Sequence, residues 1–391
     1  MSEVLRAATA PARADVYAAV SSALDADLPN PRTAFFINGR FLSQPVTGVQ
    51  RYAREIVRAL DATLRDGGRR ATIVAPADAR AALPLGAIDV RRTRLGGHLW
   101  EQAVLPLVAS GTLVNLCNLA PLARTRQIVC VHDANVFTFP QSYSCAFRAY
   151  YRALLPRLAK RAARVVTVSH ASASDLARWL DLPASSIVVA PNGHEHALRW
   201  DPLASKLAKS FAIKRPFILT IGSRAKHKNV GLILGMAKAI DALGLDIVVV
   251  GERSSIFGDT EPNGAASAAT DLANVTFLGR VSDDDLASLL RSALCLAFPS
   301  LTEGFGLPLV EAMAIGCPVV ASDRPSLREV CGTAGLLASP TDPEAWLDRF
   351  RSLATSEDRQ EECRQRGFEQ VKRFSWSDSA NIYASLADGL R

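Results

Sequence analysis

The sequence predicts an α/β protein with two Rossmann-like, doubly wound domains. The chain has 391 residues, which is more than one compact core usually organises. Short apolar runs alternate with longer stretches of helical periodicity, as parallel strands joined by helices do. This alternation starts again after Trp200, which indicates a second domain of the same kind.

The chain begins with a stretch unlike the rest. Residues 1–30 are rich in alanine and polar residues, and we expect an extension with one helix at 14–24. The first domain is predicted to span 31–198. Its predicted elements are strands at 33–38, 71–75, 127–131 and 164–168 and a helix at 49–65. Ser169 is expected to cap the helix that follows the fourth of these strands.

The second domain is predicted to span 199–375, after a linker near residues 192–207. Its predicted strands lie at 216–221, 246–250, 275–278, 293–298 and 318–321. Its predicted helices lie at 232–243, 284–292 and 309–315, and a last helix covers 376–390. Ser282 is a suitable N-cap, and the aspartates at 283–285 favour the start of a surface helix.

Composition excludes several classes of protein. The net charge is +7, and no apolar run is long enough to span a bilayer. No secretory signal and no nucleic-acid recognition module is recognisable, so we expect a cytoplasmic protein that does not bind nucleic acid. The seven cysteines form no CxxC pair, and we interpret them as buried thiols in a reducing cytoplasm.

Basic residues crowd one predicted helix. They are Arg148, Arg152, Arg157, Lys160, Arg161 and Arg164. This face is suited to anionic lipid headgroups at the inner face of the membrane, or to a pyrophosphate-linked acceptor. An ordinary solvated helix surface is the alternative, and the sequence favours it slightly.

The most informative segment is the run from Glu303 to Glu311, EGFGLPLVE. It follows a buried strand and contains two glycines before Pro308, which suits the first turn of a helix. The amides of Phe305, Gly306 and Leu307 then form an anion site at the helix start. A carboxylate lies on each side of that site and would accept hydrogen bonds from hydroxyls. The pattern fits a nucleotide sugar, with sugar hydroxyls on one side and ribose hydroxyls on the other.

This segment resembles the signature of the large family of retaining glycosyltransferases with the GT-B fold (family 4, group 1), mannosyltransferases among them. The resemblance covers about residues 33–388. It implies that Glu303 meets the donor sugar, that Phe305, Gly306 and Leu307 meet sugar and phosphate, and that Glu311 holds the ribose. It also implies that the domains face a cleft, with the acceptor on the N-terminal domain, and that residues 376–391 cross back to that domain.

A basic loop follows the first strand of the second domain, in the sequence GSRAKHKN at 222–229. Ligands sit at the carboxyl ends of strands in such sheets, and a departing diphosphate needs positive charge. Lys228 matches the family lysine. The family arginine stands at positions that hold Ser223 and His227 here, and Arg224 is the candidate in its place. A solvated basic loop is the alternative.

Two further motifs lie in the first domain. Gly48 lies between the first strand and its helix, where the resemblance places it near the donor or acceptor, although a simple turn is an equal alternative. His132 ends a strand and resembles a family histidine near the reacting sugar. Asp133 and Asn135 are candidates for the acceptor side, with Asp133 alternatively capping the next helix.

Relatives place backbone groups near Arg280 and Val281 against the nucleotide base. The sequence shows no dinucleotide-binding fingerprint and no metal-ligand cluster with usable spacing, so we expect neither a cofactor nor a metal. The expected activity is transfer of a hexose, mannose-like, from GDP-mannose or a similar nucleotide sugar to a saccharide or lipid-linked acceptor in surface polysaccharide or lipopolysaccharide synthesis. The alternatives are a non-catalytic sugar-nucleotide-binding protein and an epimerase of the same fold.

Overall fold

The computed structural model describes residues 33–80, 83–207, 215–222, 225–251 and 273–390. The predicted extension with its helix at 14–24, and the candidate Arg224, lie outside the described residues. Contacts divide the chain into two compact units. The first contains the described residues up to Val131, together with Arg157–Val166 and the residues from Ala380 onward, and the second contains His132–Pro156 and Thr167–Ser379. The domain boundaries at 30, 198 and 375 stay predictions.

The strands β1 to β6 of the first sheet and β8 to β13 of the second pair in parallel, which confirms the predicted fold class. The first sheet has seven strands in the order β3-β2-β1-β4-β5-β6-β7, and the second has six in the order β10-β9-β8-β11-β12-β13. Their bounds are β1 Thr33–Asn38, β2 Arg70–Ala75, β3 Ile88–Arg92, β4 Leu113–Asn115, β5 Gln127–Cys130, β6 Arg164–Thr167, β7 Ile187–Val189, β8 Phe217–Ile221, β9 Asp246–Val250, β10 Val275–Gly279, β11 Cys295–Phe298, β12 Val319–Ser322 and β13 Leu336–Ala338.

Helices separate most of these strands. Their bounds are α1 Gly48–Asp66, α2 Gly97–Ala103, α3 Leu105–Val108, α4 Asn135–Thr138, α5 Cys145–Arg161, α6 His170–Leu180, α7 Val230–Gly235, α8 Ala237–Ala242, α9 Asp283–Ser292, α10 Leu307–Ile315, α11 Pro325–Cys331, α12 Pro343–Ala354, α13 Glu357–Val371 and α14 Trp376–Asp388. Short 3₁₀ turns lie at Pro140–Ser142 and Lys226–Lys228, among other places.

Two predicted caps are confirmed, and one predicted helix is wrong in its continuity. Ser169 accepts from the amide of Ser172, and Ser282 accepts from the amide of Asp285. The helix predicted at 232–243 is instead α7 and α8, interrupted at Met236, whose backbone (φ −93°, ψ 5°) leaves the helical region. Gly235 directly before the break lowers the helical propensity there.

In the first unit, the core packs on strands whose centres are continuously buried, as expected of a parallel sheet covered on both faces. The end of α14 is fastened to α1 within this unit. The hydroxyls of Tyr52 and Tyr383 lie 3.0 Å apart, and Thr63 donates to Asn381 at 3.0 Å. A buried polar network joins the ends of β1 and β4, where Asn38 donates to Asn115 at 3.0 Å.

In the second unit, the six-stranded sheet buries a core that includes the fully buried Trp346 and Phe350 of α12. The carboxyl ends of β8 and β11, which are neighbours in the sheet, carry the segments that begin at Gly222 and Pro299. Segments that leave neighbouring parallel strands meet at one edge of the sheet. The basic loop and the Glu303–Glu311 segment are therefore brought to the same edge.

Candidate active site

The Glu303–Glu311 segment folds as a tight loop followed by α10. Gly306 has φ 96°, a conformation that favours glycine, and it precedes the first residue of the helix. A Cβ on Gly304 would lie 2.1 Å from the carbonyl oxygen of His132, so only glycine lets these two backbone segments approach. Gly316 ends the helix at φ 84°, as the sequence predicts.

The start of α10 offers unpaired backbone donors. Phe305, Gly306 and Leu307 are buried, and no acceptor among the residues that the structure describes contacts their amides. Pro308 follows in the first turn, where its missing N–H leaves nothing unsatisfied. Buried amides at a helix start favour an anion, because the helix dipole adds positive potential there.

Lys228 and Glu303 form an ion pair beside these amides. The ammonium nitrogen lies 2.7 Å from Glu303 Oε1, and it also sits 5.3 Å from the centre of the Phe298 ring. Lys228 ends a 3₁₀ turn that is held in place because the Leu301 amide donates to the His227 carbonyl at 2.7 Å. The sequence assigned Lys228 and Glu303 to different parts of the donor, and the structure brings them together.

Asp133 is the most perturbed carboxyl of this cluster. Burial raises its pKa from 3.8 to about 6, the Asn135 amide lowers it through a 2.8 Å hydrogen bond, and Glu303 raises it further. Lys228 opposes these effects more weakly. The hydrogen bond to Asn135 matches the capping alternative, since Asn135 begins α4. Asp133 is therefore protonated more readily than an ordinary aspartate while lying close to Glu303.

Two residues near this cluster were not singled out from the sequence. The phenol of Tyr143 has its pKa raised by burial and by the charges of Asp133 and Glu303, and it hydrogen-bonds the Asn135 side chain. Asn135 also accepts from Thr302 at 2.8 Å. His227 is buried, contacts Ser142 Oγ at 3.1 Å through Nδ1, and has its pKa lowered by burial. His227 lies 85 positions from Ser142, so no local pattern points to this contact.

The loop before α10 is also held by hydroxyls from α6. Ser169 and Ser172 both donate to the Gly304 carbonyl, at 2.6 and 2.8 Å, and Ser172 also contacts the His132 carbonyl at 3.3 Å. His132 itself is buried. Glu329 accepts from the amides of His170 and Ala171 at 2.9 and 3.0 Å, and so stabilises the start of α6.

Glu311 lies within α10, and its carboxylate is buried. His196 Nε2 lies 2.9 Å from Glu311 Oε1, and the indole N–H of Trp376 donates to His196 Nδ1 at 3.0 Å. The sequence indicated Glu311 but gave no sign of His196, which is separated from it by 115 positions.

The remaining predicted site residues lie on other elements of the fold. Arg280 is exposed and Val281 half-buried, just beyond β10 at the edge of the second sheet. Gly48 is exposed in the first unit, and a Cβ there would meet nothing among the described residues. Gln50 accepts from the Thr47 amide at 3.3 Å, so this turn is a capped helix start. A ligand-binding role for Gly48, Arg280 or Val281 stays a prediction.

The basic helix is α5, and most of its basic residues are exposed, with Arg148 half-buried. Arg164, predicted on the same helix, is instead the first residue of β6. Its first turns carry exposed aromatic rings as well. Phe147 is 38% and Tyr150 45% exposed, and Phe147 stacks on Tyr143 and Tyr151. None of the helices that the structure describes is long and apolar enough to cross a membrane.

The aspartates at 283–285 do not all lie on a surface, as the sequence suggested. Asp285 is buried and accepts from the Ser205 hydroxyl and from the amides of Lys206 and Leu207. In the described part of the chain, no three His, Cys, Asp or Glu side chains are grouped so as to hold a metal ion. The seven cysteines, all within the described ranges, form no disulfide, and Cys145 is exposed.

Comparisons with known proteins identify the family of this chain. The family model "Glycosyl transferases group 1" matches residues 205–370, and "Glycosyltransferase Family 4" matches residues 106–198. The chain is 30% identical over 268 residues to the O-antigen chain mannosyltransferase B of Escherichia coli. That alignment covers 65% of this chain and 68% of the relative.

Solved structures show the same fold. Sucrose-phosphate synthase from Thermosynechococcus elongatus matches with a TM-score of 0.69 at 19% identity, over 91% of this chain and 98% of that one. HepE of Anabaena, solved in complex with UDP and glucose, matches with a TM-score of 0.63 at 19% identity, over 90% of this chain and 97% of that one. These matches confirm the predicted GT-B architecture. With its two family models and its mannosyltransferase relative, the chain belongs to the group 1, family 4 glycosyltransferases.

Proposed function

We propose that this glycosyltransferase is a retaining, metal-independent hexosyltransferase. It moves a mannose-like hexose from a nucleoside-diphosphate sugar, GDP-mannose or a similar donor, to a hydroxyl of a saccharide or lipid-pyrophosphate-linked acceptor. One observation carries the proposal. A single segment places Glu303 and Glu311 on either side of three buried, unpaired amides, with Lys228 beside the first carboxylate.

Each group has a role that follows from its chemistry. The amides of Phe305, Gly306 and Leu307 donate to the diphosphate, and Lys228 adds positive charge next to them. In the described state Lys228 is neutralised by Glu303. When the diphosphate binds, the Lys228 ammonium interacts with both the diphosphate and Glu303. The Glu303 carboxylate then also accepts hydrogen bonds from sugar hydroxyls. Arg224 is proposed as a second cation, and Glu311 as the acceptor for ribose hydroxyls.

The proposed transfer occurs on one face of the sugar. The bond between the anomeric carbon and the diphosphate oxygen breaks, and the acceptor oxygen bonds to the same face. The acceptor proton passes to a phosphate oxygen of the leaving group, so no enzymic base is consumed. His132, Asp133 and Asn135 are proposed to line the acceptor side. The enzyme contributes orientation and stabilisation of the charge on the leaving diphosphate.

Protein groups alone are proposed to balance that charge. Mg²⁺ and Mn²⁺ are usually held by clustered carboxylates. Glu303 is engaged with Lys228 at 2.7 Å, and Asp133 accepts from the Asn135 amide, so both carboxyls of the cluster already have partners. Lys228, Arg224 and the helix amides are therefore the groups proposed to hold the diphosphate.

The name of the E. coli relative supports a mannose donor and a role in O-antigen or glycolipid synthesis. HepE was solved with UDP and glucose, which supports the donor class and leaves the base open. We further propose that α5 meets the acceptor or the inner membrane face. The support is its exposed arginines next to Phe147 and Tyr150, since basic and aromatic side chains together favour an anionic interface.

A thermal-shift panel tests the proposal first. GDP-mannose, UDP-glucose and a dTDP-sugar are added separately, and one should raise the melting temperature. At about 100 times the dissociation constant the stabilisation is about 2.7 kcal/mol. The selected donor is then incubated with candidate acceptors, and the anomeric configuration of the product is read by NMR.

The outcomes separate the rival functions. Binding without any transfer would favour a non-catalytic nucleotide-sugar protein. Conversion of the donor to its epimer without an acceptor would favour an epimerase. If no sugar nucleotide changes the melting temperature, the donor-site assignment is wrong.

A further inference from the structure

His196 lies between the proposed ribose-binding carboxylate and the first residue of α14. It is 1% exposed, its Nε2 lies 2.9 Å from Glu311 Oε1, and its Nδ1 lies 3.0 Å from the indole nitrogen of Trp376. Trp200 and Trp376 also contact the imidazole ring, with centroids at 5.5 and 5.6 Å. A polar side chain so enclosed by aromatic rings has little freedom to rotate.

The hydrogen bonds around His196 determine its tautomer. An indole nitrogen is only ever a donor, so His196 Nδ1 must accept from Trp376 and carries no proton. The proton of the neutral ring then resides on Nε2, and Nε2–H donates to Glu311. Trp376, His196 and Glu311 thus form a directed chain of hydrogen bonds that ends on a carboxylate.

The backbone around His196 is built to keep Trp376 in place. The Glu195 carboxylate accepts from the Trp376 amide at 3.0 and 3.1 Å. A Cβ on Gly193 would lie 2.2 Å from the same amide nitrogen, so this close approach requires glycine. The segment from Gly193 to His196 therefore holds both the amide and the indole of Trp376.

We propose that His196, oriented by Trp376, is a positioning residue for Glu311. Its Nε2–H holds one carboxylate oxygen and so fixes the plane of the carboxylate that receives the ribose hydroxyls. A carboxylate that can rotate must be ordered again when the nucleotide binds, and that ordering weakens binding. The inference rests on the proposed role of Glu311, and it identifies the ribose hydroxyls as the ligand groups that depend on His196.

The test measures how well the protein distinguishes ribose from dideoxyribose. GDP and UDP, and their 2′,3′-dideoxy forms, are titrated calorimetrically into wild type, His196→Leu, His196→Gln and Trp376→Phe. We expect His196→Leu to weaken binding of the preferred ribonucleotide about tenfold, the usual effect of losing one hydrogen bond to a charged group. The dideoxy nucleotide should bind as to wild type. The preference for ribose should therefore collapse.

Two further variants test whether the hydrogen bonds of His196 cause the ribose preference. Glutamine can place an N–H near the position of Nε2, so His196→Gln should recover most of the preference. Trp376→Phe removes the donor that fixes the tautomer and should lower the preference by a smaller factor, about threefold. Trp100→Phe is the matched control, because it also removes a buried indole hydrogen bond, to Thr93 Oγ1 at 2.7 Å in the first unit. It should leave the ribose preference unchanged.

Glu311→Ala separates this inference from the proposed function. Loss of ribose preference in Glu311→Ala, His196→Leu and Trp376→Phe supports the positioning role. Loss in Glu311→Ala alone overturns the positioning role and leaves the donor assignment standing. An unchanged preference in Glu311→Ala overturns both. Equal weakening of ribo and dideoxy nucleotides in the His196 and Trp376 variants shows a merely structural role and also overturns the inference.

Discussion

Asp285 and Asp133 both lie near the start of a helix in the second unit, and their surroundings differ sharply. Asp285 accepts from the hydroxyls of Ser282 and Ser205 and from two backbone amides, and these partners hold its pKa well below the usual range. Asp133 accepts from the Asn135 amide, and burial next to Glu303 raises its pKa to about 6.

The surroundings of Asp285 and Asp133 show how a structural carboxylate differs from a functional one. The bonds of Asp285 tie the segment 205–207 to the start of α9, and its negative charge is fully compensated by donors. Asp133 keeps a carboxyl whose charged form is poorly stabilised by the protein. A buried acid of that kind is destabilising unless a ligand uses it, so it is a candidate for function. Four predictions test this comparison.

The largest effect is expected from Lys228, the cation that lowers the pKa of Asp133. Lys228→Met removes the charge beside the amides and keeps an apolar stem over Phe298. We expect turnover to fall about a hundredfold, as for loss of one group that stabilises the leaving charge. The measurement is the steady-state rate with saturating donor. Arg224→Ala should show a loss of similar size, and normal turnover in both variants would mean that the basic loop does not serve the diphosphate.

The next effect concerns stability at Asp285. Asp285→Ala removes the three hydrogen bonds that Asp285 accepts from the segment 205–207, and should lower the free energy of unfolding by about 2 kcal/mol. Turnover of the folded fraction should be that of wild type. Urea unfolding and a rate assay on the same preparation provide the check. A large loss of turnover without loss of stability would place Asp285 among the functional groups.

Asp133→Asn should act in the opposite way. A raised pKa means that the folded state binds the proton more tightly than the unfolded state does, so stability is lost as pH rises from about 4 to 6. Asparagine carries no charge and keeps the bond to the Asn135 amide. The variant should be more stable than wild type by about 3 kcal/mol above pH 6, and the difference should be small near pH 4.

Turnover of the same variant should fall about tenfold at pH 7.5, because the acceptor substrate can no longer donate a hydrogen bond to a charged carboxylate at position 133. Thermal unfolding at pH 4, 5, 6 and 7.5 measures the change in stability, and a rate assay measures the change in turnover. A variant that is less stable at every pH would show that the Asp133 charge is compensated in the protein, and the comparison with Asp285 would fail.

The smallest effect is expected from a chelator. If Lys228, Arg224 and the amides at the start of α10 balance the diphosphate, EDTA should leave the transfer rate unchanged. Complete loss of transfer, followed by recovery with Mg²⁺ or Mn²⁺, would show a metal site in the donor complex and would overturn the proposed electrostatics.

Much of the fold could be predicted from local sequence. The strands at 33–38 and 246–250, and the caps Ser169 and Ser282, follow from apolar runs and short-range hydrogen bonding, which local patterns encode. The division of the 232–243 helix could not be predicted so readily, since a helical period continues across Met236. Gly235 lowers the helical propensity directly before the break, but one glycine does not by itself show where a helix is interrupted.

The candidate site was predicted only in part, for a related reason. Glu303 and Glu311 stand in one short segment, and a glycine turn with a proline marks their setting. The residues that contact these two glutamates lie far from this segment in the sequence. Lys228 lies 75 positions from Glu303, and Trp376 lies 180 positions from His196. Such pairs depend on the order of strands in the sheet, which a local pattern does not contain.

The central claim is that Glu311 and Glu303 serve different halves of one nucleotide sugar. Calorimetric titration of the free nucleoside diphosphate into Glu311→Ala and Glu303→Ala tests it most directly, because no acceptor is needed. We expect Glu311→Ala to weaken binding of the free nucleotide by about tenfold or more. Glu303→Ala should bind the free nucleotide as wild type does and should lose sugar transfer. Equal weakening of free-nucleotide binding in both variants would contradict the assignment of one carboxylate to each side of the diphosphate.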